Sequence, residues 1–425
     1  MNRFIKIVSN TIYQGVGRLI TATTSLLITI LVARSFGSAN LGDLTKVLVF
    51  VALFYLVADF GFNAIVVKEM KVQKSKAGYL IANLFVLRFL FSLALVFLVC
   101  LIVLALPFNL QTNIGFSPLV KAGIVLGSLT IITQALLTSA NAYFQANLRY
   151  AKSALAVFGG SLATVFLAFA LVKFFSSSWP QAFLSIIAAY VVGGAVTVVL
   201  AIFLIIFELP IGKLRIDFSF WYRLFRRTWP IGLTLIFNLI YFRADTLILA
   251  ATRSSSEVGL YSLAYKMFDL ALVLPIFLIN ASYPTMIETY QKGVNYLRQF
   301  SKIFFLALLA ISFLVLVFLL VTAPILVGLA GGGGKGFAGS IPALQILAIS
   351  VPVFYISALL MWLLILFEKQ KSLVYIYGSG ALLNIFLNLI FIPRFGYLAA
   401  AATTGFCEFL IVVISAYLVL KNFKD

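Results

Sequence analysis

Histidine is absent from this sequence, and only two cysteines and twelve acidic residues occur in 425 positions. Without imidazole there is no histidine general base and no histidine metal ligand. Cys100 and Cys407 each fall inside an apolar stretch, match no metal or disulfide pattern, and say nothing of redox compartment. Charge of either sign is scarce: 10% of residues, against roughly a quarter in a soluble protein. That scarcity excludes a soluble domain of this length. No signal peptide is expected either, because MNRFIK runs into the polar, glycine-containing TIYQGVGRL and reads as the start of a first membrane helix.

What fills the chain instead is hydrocarbon, with 63% hydrophobic residues and a mean hydropathy of +1.13. The apolar residues divide into about twelve stretches, each long enough to cross a bilayer core as a helix. They are 11–33, 44–66, 80–106, 118–146, 153–175, 181–207, 229–252, 259–284, 301–328, 341–367, 373–392 and 397–420. The connections are too short for an extramembrane domain. The expected fold is an all-α membrane protein of about twelve transmembrane helices.

The basic residues orient it. Twenty Lys and Arg fall in the loops that share a side with both termini, against seven on the other side, so both termini are expected in the cytoplasm. The net charge of +19 is then a property of short loops beside anionic headgroups, and no nucleic-acid partner is expected. The halves also align. SANLG at 38–42 matches SSEVG at 255–259, and at the same offset Phe60 meets Phe277, Asn63 meets Asn280 and Ala64 meets Ala281. Two parallel six-helix lobes follow, 1–207 and 229–425, in the arrangement of transporters that rock one lobe against the other. Between them, Phe218, Trp221 and Phe225 place an apolar face on an amphipathic linker, 208–228, with Arg223, Arg226 and Arg227 largely off it. The glycine-rich AGGGGKGF at 330–337 fails as a phosphate loop, because Leu329 and Gly336 stand where the motif needs Gly and Ser or Thr.

Apart from lysines at their ends, which are counted with the loops, the apolar stretches hold eight charges: Arg18, Asp59, Arg88, Arg243, Asp245, Lys266, Asp269 and Glu408. Each is a functional candidate, because a charge at membrane depth is costly unless paired or wetted. Asp59 and Arg88 sit at matching depths on adjacent spans and suit a structural ion pair, with a transport role as the alternative. Lys266 and Asp269 are one helical turn apart and can pair, or Lys266 can reach into a cavity. Arg243 and Asp245, two residues apart, point to opposite sides, and Arg243 is open between packing and interface roles. Arg18 and Glu408 have no opposite charge near them in sequence. Polar residues also recur at helical spacing: Gln14, Arg18, Thr21, Ser25 and Thr29; Thr130, Gln134, Thr138, Asn141 and Gln145; and Thr234, Asn238, Tyr241 and Asp245. These stripes line either a hydrated cavity or packing seams.

Several segments are familiar in their order and spacing: LVARSFGSANLGDL (31–44), VADFGFNAIVVKEM (57–70), RADTLILA through INASYPTM (243–286), FAGSIPALQILAISVP (337–352) and LNIFLNLIFIPRFGYLAAAATT (383–404). Together they resemble the Wzx-type polysaccharide and O-antigen flippases of the multidrug/oligosaccharidyl-lipid/polysaccharide flippase superfamily. Ala399 departs from the glycine often found after the IPRFG turn. The resemblance implies two MATE-like lobes around a cavity that passes a polyprenyl-diphosphate-linked oligosaccharide from the cytoplasmic to the outer leaflet of a prokaryotic inner membrane. Membrane lipids, and a polysaccharide polymerase and glycosyltransferases, are the expected partners. On the residues, Arg18 and Lys266, with Arg243 or Arg88, are candidates to hold the diphosphate. Gln14, Gln134, Asn141 and Asn238 are candidates for the sugar hydroxyls. Glu408 or Asp245 is the candidate proton or sodium site, since burial raises a carboxyl pKa. No other cofactor and no enzymatic activity are expected. The rival readings are a multidrug antiporter, which wants an acidic cavity, and a peptidoglycan-precursor flippase, expected to have fourteen spans. A membrane enzyme is disfavoured by the short loops and absent histidine.

Overall fold

The computed structural model describes residues 3–175, 178–207, 216–333 and 336–423; the side chains of residues 3–9, 11, 74, 230–231 and 234–242 lie outside that description. The helices are α1 (Arg3–Phe36), α2 (Ser38–Asp59), α3 (Phe62–Val72), α4 (Ala77–Ala105), α5 (Pro118–Ala146), α6 (Tyr150–Phe174), α7 (Trp179–Ile206), α8 (Phe218–Thr252), α9 (Ser255–Ala271), α10 (Val273–Lys292), α11 (Val294–Gly331), α12 (Ser340–Leu366), α13 (Gln370–Phe395) and α14 (Tyr397–Asn422). A two-stranded hairpin, β1 (Phe108–Asn109) with β2 (Ile114–Gly115), joins α4 to α5. Among the described residues, eleven helical segments are long and apolar enough to cross a membrane. The expected seventh span, 229–252, lies within α8. Helices dominate because the bilayer leaves no water for unpaired backbone groups.

Two compact units result, Met1–Ser35 with Leu44–Leu239, and Phe36–Asp43 with Ile240–Asp425. In the first, α6 packs on α7, and α5 packs on α3, α4 and α7. Small residues set the α6–α7 spacing: a Cβ on Gly160 would lie 1.7 Å from Thr197 Oγ1, and one on Gly193 1.8 Å from Thr164 Oγ1. In the second, α12 packs on α9, α11 and α14, and α13 packs on α14.

The second and eighth expected spans are each broken. Phe60 (φ 45°) and Gly61 (φ 71°) are left-handed and separate α2 from α3. A break frees backbone carbonyls inside the membrane region, where each must find a donor. Arg88 of α4, wholly buried, supplies it: Nη2 donates to the Asp59 carbonyl at 3.0 Å and to Asp59 Oδ1 at 2.5 Å. Its Nη1 donates to Asn63 Oδ1 at 2.8 Å, and Asn63 in turn donates to the Thr138 carbonyl of α5. The guanidinium also lies over the Phe62 ring, 5.6 Å from its centroid. A left-handed phenylalanine is strained by about 1–3 kcal/mol. Phe60 is held there by ring contacts with Phe62, Phe91 and Phe225. The second unit solves the same problem differently. Between α9 and α10 the Ala271 carbonyl accepts from Tyr355 Oη of α12 at 2.9 Å.

The repeat read from SANLG and SSEVG is built into one contact. A Cβ on Gly42 would lie 1.7 Å from the Ser255 carbonyl oxygen, and one on Gly259 1.9 Å from the Ser38 carbonyl oxygen. Each glycine of one copy therefore seats the backbone of the serine that opens the other. Ser38 Oγ and Ser256 Oγ share a hydrogen bond at 3.1 Å, and Ser255 Oγ donates to Asp43 Oδ1 at 2.6 Å.

Two outcomes follow from these contacts. Gly42→Ala and Gly259→Ala should each destabilise the purified protein by about 1–3 kcal/mol, because backbone rather than a side-chain tip must move. Thermal unfolding in detergent measures this, and unchanged midpoints would remove the contact from the list of constraints. Arg88→Met should cost roughly 3–5 kcal/mol by stranding Asp59 and its carbonyl. The double variant Asp59→Leu with Arg88→Met should be more stable than Arg88→Met alone; a double variant as unstable as the single would sink the pairwise account.

Candidate functional site

In the first unit the polar stripes divide along their length. At one end of the α1 stripe, Thr29 is buried and donates to the Ser25 carbonyl at 2.8 Å. Ser25 reaches the Tyr190 hydroxyl of α7. On α5, Thr130 Oγ1 is 2.7 Å from Tyr55 Oη of α2. This end is a packing seam. At the other end Gln14, Arg18 and Gln134 are exposed. Gln14 Nε2 lies 3.5 Å from Tyr150 Oη, and Arg18 is within electrostatic reach of the same phenol. Asn141 is half-buried, and its Oδ1 accepts from Ser153 Oγ of α6 at 2.6 Å. Its carbonyl oxygen is thus engaged between helices. Asp59 and Arg88 belong to the helix break, and they meet the α5 stripe only at the Thr138 carbonyl, through Asn63, among the hydrogen bonds described.

In the second unit the charges gather around α9. Asp245 is 3% exposed and is wrapped in donors. Thr246 N reaches its Oδ1 at 2.6 Å, Tyr261 Oη its Oδ2 at 2.5 Å, and Thr404 Oγ1 of α14 the same oxygen at 3.3 Å. Its place on a stripe with Thr234, Asn238 and Tyr241 therefore does not make it accessible. Thr234, Asn238 and Tyr241 themselves have side chains outside the described residues. Asp269 feels Arg243 more strongly than Lys266, so Arg243 on α8 is the larger stabilising charge for it. Helical spacing alone gave Lys266 that part. Arg243 also feels Asp245, although two residues on a helix diverge, because a long guanidinium stem can turn back. Lys266 and Asp269 are half-buried. Glu408 is 3% exposed and lies within electrostatic reach of Tyr265, Tyr377 and Cys407.

Three participants are additional to the residues singled out from sequence. Tyr261 and Thr404 complete the Asp245 site from α9 and α14; nothing in their local sequence marks them, since their role comes from helix packing. Lys46, at the end of the stretch 44–66 and one of the seven basic residues counted opposite the termini, is 1% exposed and donates from Nζ to the Gly115 carbonyl at 2.6 Å, fastening the β1–β2 hairpin to α2. On α13, Asn388 donates to Asn384 Oδ1 at 2.9 Å while its own Oδ1 is buried without a hydrogen-bond partner. Among the described residues, no three His, Cys, Asp or Glu side chains are grouped to hold a metal ion. The amphipathic segment differs in detail from the expected face of Phe218, Trp221 and Phe225. Residues 208–215 lie outside the described residues, and in α8 Phe220, Trp221 and Leu224 are buried while Phe218 is 72% exposed.

Chemically, the exposed candidate side chains described in the first unit are one cation, Arg18, and two amides, Gln14 and Gln134. The candidate carboxylates of the second unit, Asp245, Asp269 and Glu408, are buried or half-buried. The fold is shared with transporters. A structure described as "Lipid II flippase MurJ, inward closed conformation" superposes with a TM-score of 0.77 at 15% identity, over 97% of this chain and 89% of that one. An inward-facing multidrug resistance MATE family transporter of the MOP superfamily gives 0.77 at 11% identity, covering 94% of each chain. A MOP superfamily transporter from Pyrococcus furiosus, described as having a binding pocket of reverse polarity, gives 0.63 at 13%, over 99% and 95%. No curated protein matches the sequence. The sequence pattern of the family described as "Polysaccharide biosynthesis protein" does match, over residues 7–290. That match covers more than half of the chain, so this multi-pass membrane protein belongs to the polysaccharide biosynthesis protein family, with the fold of the MurJ and MATE transporters.

Proposed function

We propose that the protein flips a polyprenyl-diphosphate-linked oligosaccharide, the repeat unit of an O-antigen, capsule or exopolysaccharide, from the cytoplasmic to the outer leaflet of a prokaryotic inner membrane. The observation that carries this reading is the accessibility of charge. Arg18, inside the span Ile12–Phe36, is exposed, whereas Asp245 and Glu408 are each 3% exposed. An accessible guanidinium suits a diphosphate, which it grips through two parallel N–H donors. A cavity for cationic drugs would offer carboxylates instead, which weighs against a multidrug antiporter. A peptidoglycan-precursor flippase would share the diphosphate, and the phenotype of deletion separates the two: loss of surface polysaccharide with intact growth, against lysis.

In this reading Arg18 holds the diphosphate, with Lys266, Arg243 or both contributing during the cycle. Gln14, Gln134, Asn141 and Asn238 bond sugar hydroxyls. Asp245 or Glu408 takes up the coupling proton or sodium ion. Both termini face the cytoplasm, and the glycosyltransferases and polymerase of the same polysaccharide act before and after this step. Transport proceeds by alternating access, which needs the charged head shielded throughout.

Arg18→Ala is expected to abolish surface polysaccharide while leaving the amount of protein in the membrane unchanged. Immunoblot and polysaccharide staining of a complemented deletion strain measure both, and normal export would sink the role of Arg18. Glu408→Gln should slow export at least tenfold if the residue carries the coupling ion, since a permanently neutral side chain cannot cycle between loaded and empty states. Wild-type rates in that variant would leave Asp245 as the remaining candidate.

A further inference from the structure

The first unit carries a polar groove of about 580 Å³ where the ends of α3, α4 and α8 meet. Its charged rim is Lys76, Arg223 and Arg227 against Glu69 and Asp217, with Tyr79 between them. The two carboxylates are already engaged. Asp217 caps α8, its Oδ1 accepting from Phe220 N at 2.9 Å and its Oδ2 from Tyr79 Oη at 2.5 Å. The Tyr79 hydroxyl, the N–H groups of Phe220 and Ser219, and the charge of Arg223 together hold its carboxyl below the usual carboxylate range. Glu69 Oε1 is bridged by Arg227 Nη1 at 3.0 Å. Lys76 and Arg223 make no ion pair within 4.0 Å among the described residues.

The groove lies at span ends, since Ser38–Val72 and Ala77–Ala105 meet there. The same segment of α8 exposes Phe218, Tyr222 and Trp229, at 72%, 68% and 54%. Exposed aromatics beside arginines are the composition of a helix resting in the headgroup layer. We propose that this groove binds the phosphate headgroup of an anionic glycerophospholipid, with Lys76 and Arg223 as its cationic grips and Arg227 joining when it releases Glu69. Basic pockets between membrane helices recognise such headgroups because the phosphate is met by fixed cations at low effective dielectric. This site is separate from the polar stripe of α1 and needs no assumption about the transported glycan.

The test is thermal unfolding of the purified full-length protein in neutral detergent, titrated separately with phosphatidylglycerol, phosphatidylcholine and inorganic phosphate. Phosphatidylglycerol should raise the midpoint saturably, with the other two ineffective at equal concentration. Lys76→Gln with Arg223→Gln should weaken the apparent affinity by roughly tenfold or more. Arg226→Gln, an exposed arginine in the same segment that does not line the groove, should change it little. Glu69→Gln, which frees Arg227, should tighten binding several-fold, a gain that misfolding cannot imitate. Equal responses to both lipids, an undiminished response in the double variant, or equal losses from Arg226→Gln would overturn the site. Inorganic phosphate matching the lipid would overturn the lipid as its source.

Discussion

Everything in this fold answers to the cost of leaving a polar group unpaired where water is absent. Helices satisfy most of the backbone, and the exceptions reveal the constraint most clearly. Where α2 breaks at Phe60, a whole arginine is spent on the freed carbonyl and the carboxylate beside it. Where α9 breaks, a tyrosine hydroxyl suffices. Each unit breaks a span, yet the two cap their broken spans from different helices with different chemistry. What is common to the copies is the break itself; the donor is whatever side chain packing brings within reach.

The same constraint sorts the eight charges of the apolar stretches into groups with different meanings. Arg88 with Asp59 resembles an internal cap more than a stabilising ion pair. A buried pair of this kind adds little over well-packed hydrocarbon, whereas losing one partner is severe. The Asp245 site is similar in kind but richer. A carboxylate with four donor contacts is already solvated by protein, from its own helix and from α9 and α14. Any event that changes its charge must be felt in the packing of those helices. That linkage gives a buried acid its suitability for coupling, because titration and helix arrangement become one equilibrium.

The spans were legible in the sequence because bilayer thickness converts directly into run length, and the resemblance was legible because loop and turn segments kept their order. The repeat offset was legible too, through Ser38, Gly42, Ser255 and Gly259, since close backbone approach admits only small residues. Other features were not. The breaks after Asp59 and Ala271 leave hydropathy unchanged, so one apolar run reads as one helix. Periodicity places Asp245 on a polar face but cannot tell a face turned to water from one turned to Tyr261 and Thr404. Lys46 looked like a loop residue because its partner, the Gly115 carbonyl, lies in a hairpin 69 positions away.

That ambiguity bears directly on how charge accessibility is to be interpreted. A polar stripe on a membrane helix is one pattern with two physical outcomes, and on α1 both occur within five turns. Ser25 and Thr29 turn into protein, while Gln14 and Arg18 remain open. Serine and threonine can bond back to their own helix and so enter a seam at little cost. Arginine cannot satisfy five donors that way. An arginine enters a seam where acceptors of other helices meet it, as Asp59 and Asn63 meet Arg88, and on α1 the arginine stays exposed instead. Side-chain donor count, added to helical spacing, separates the two outcomes along this stripe.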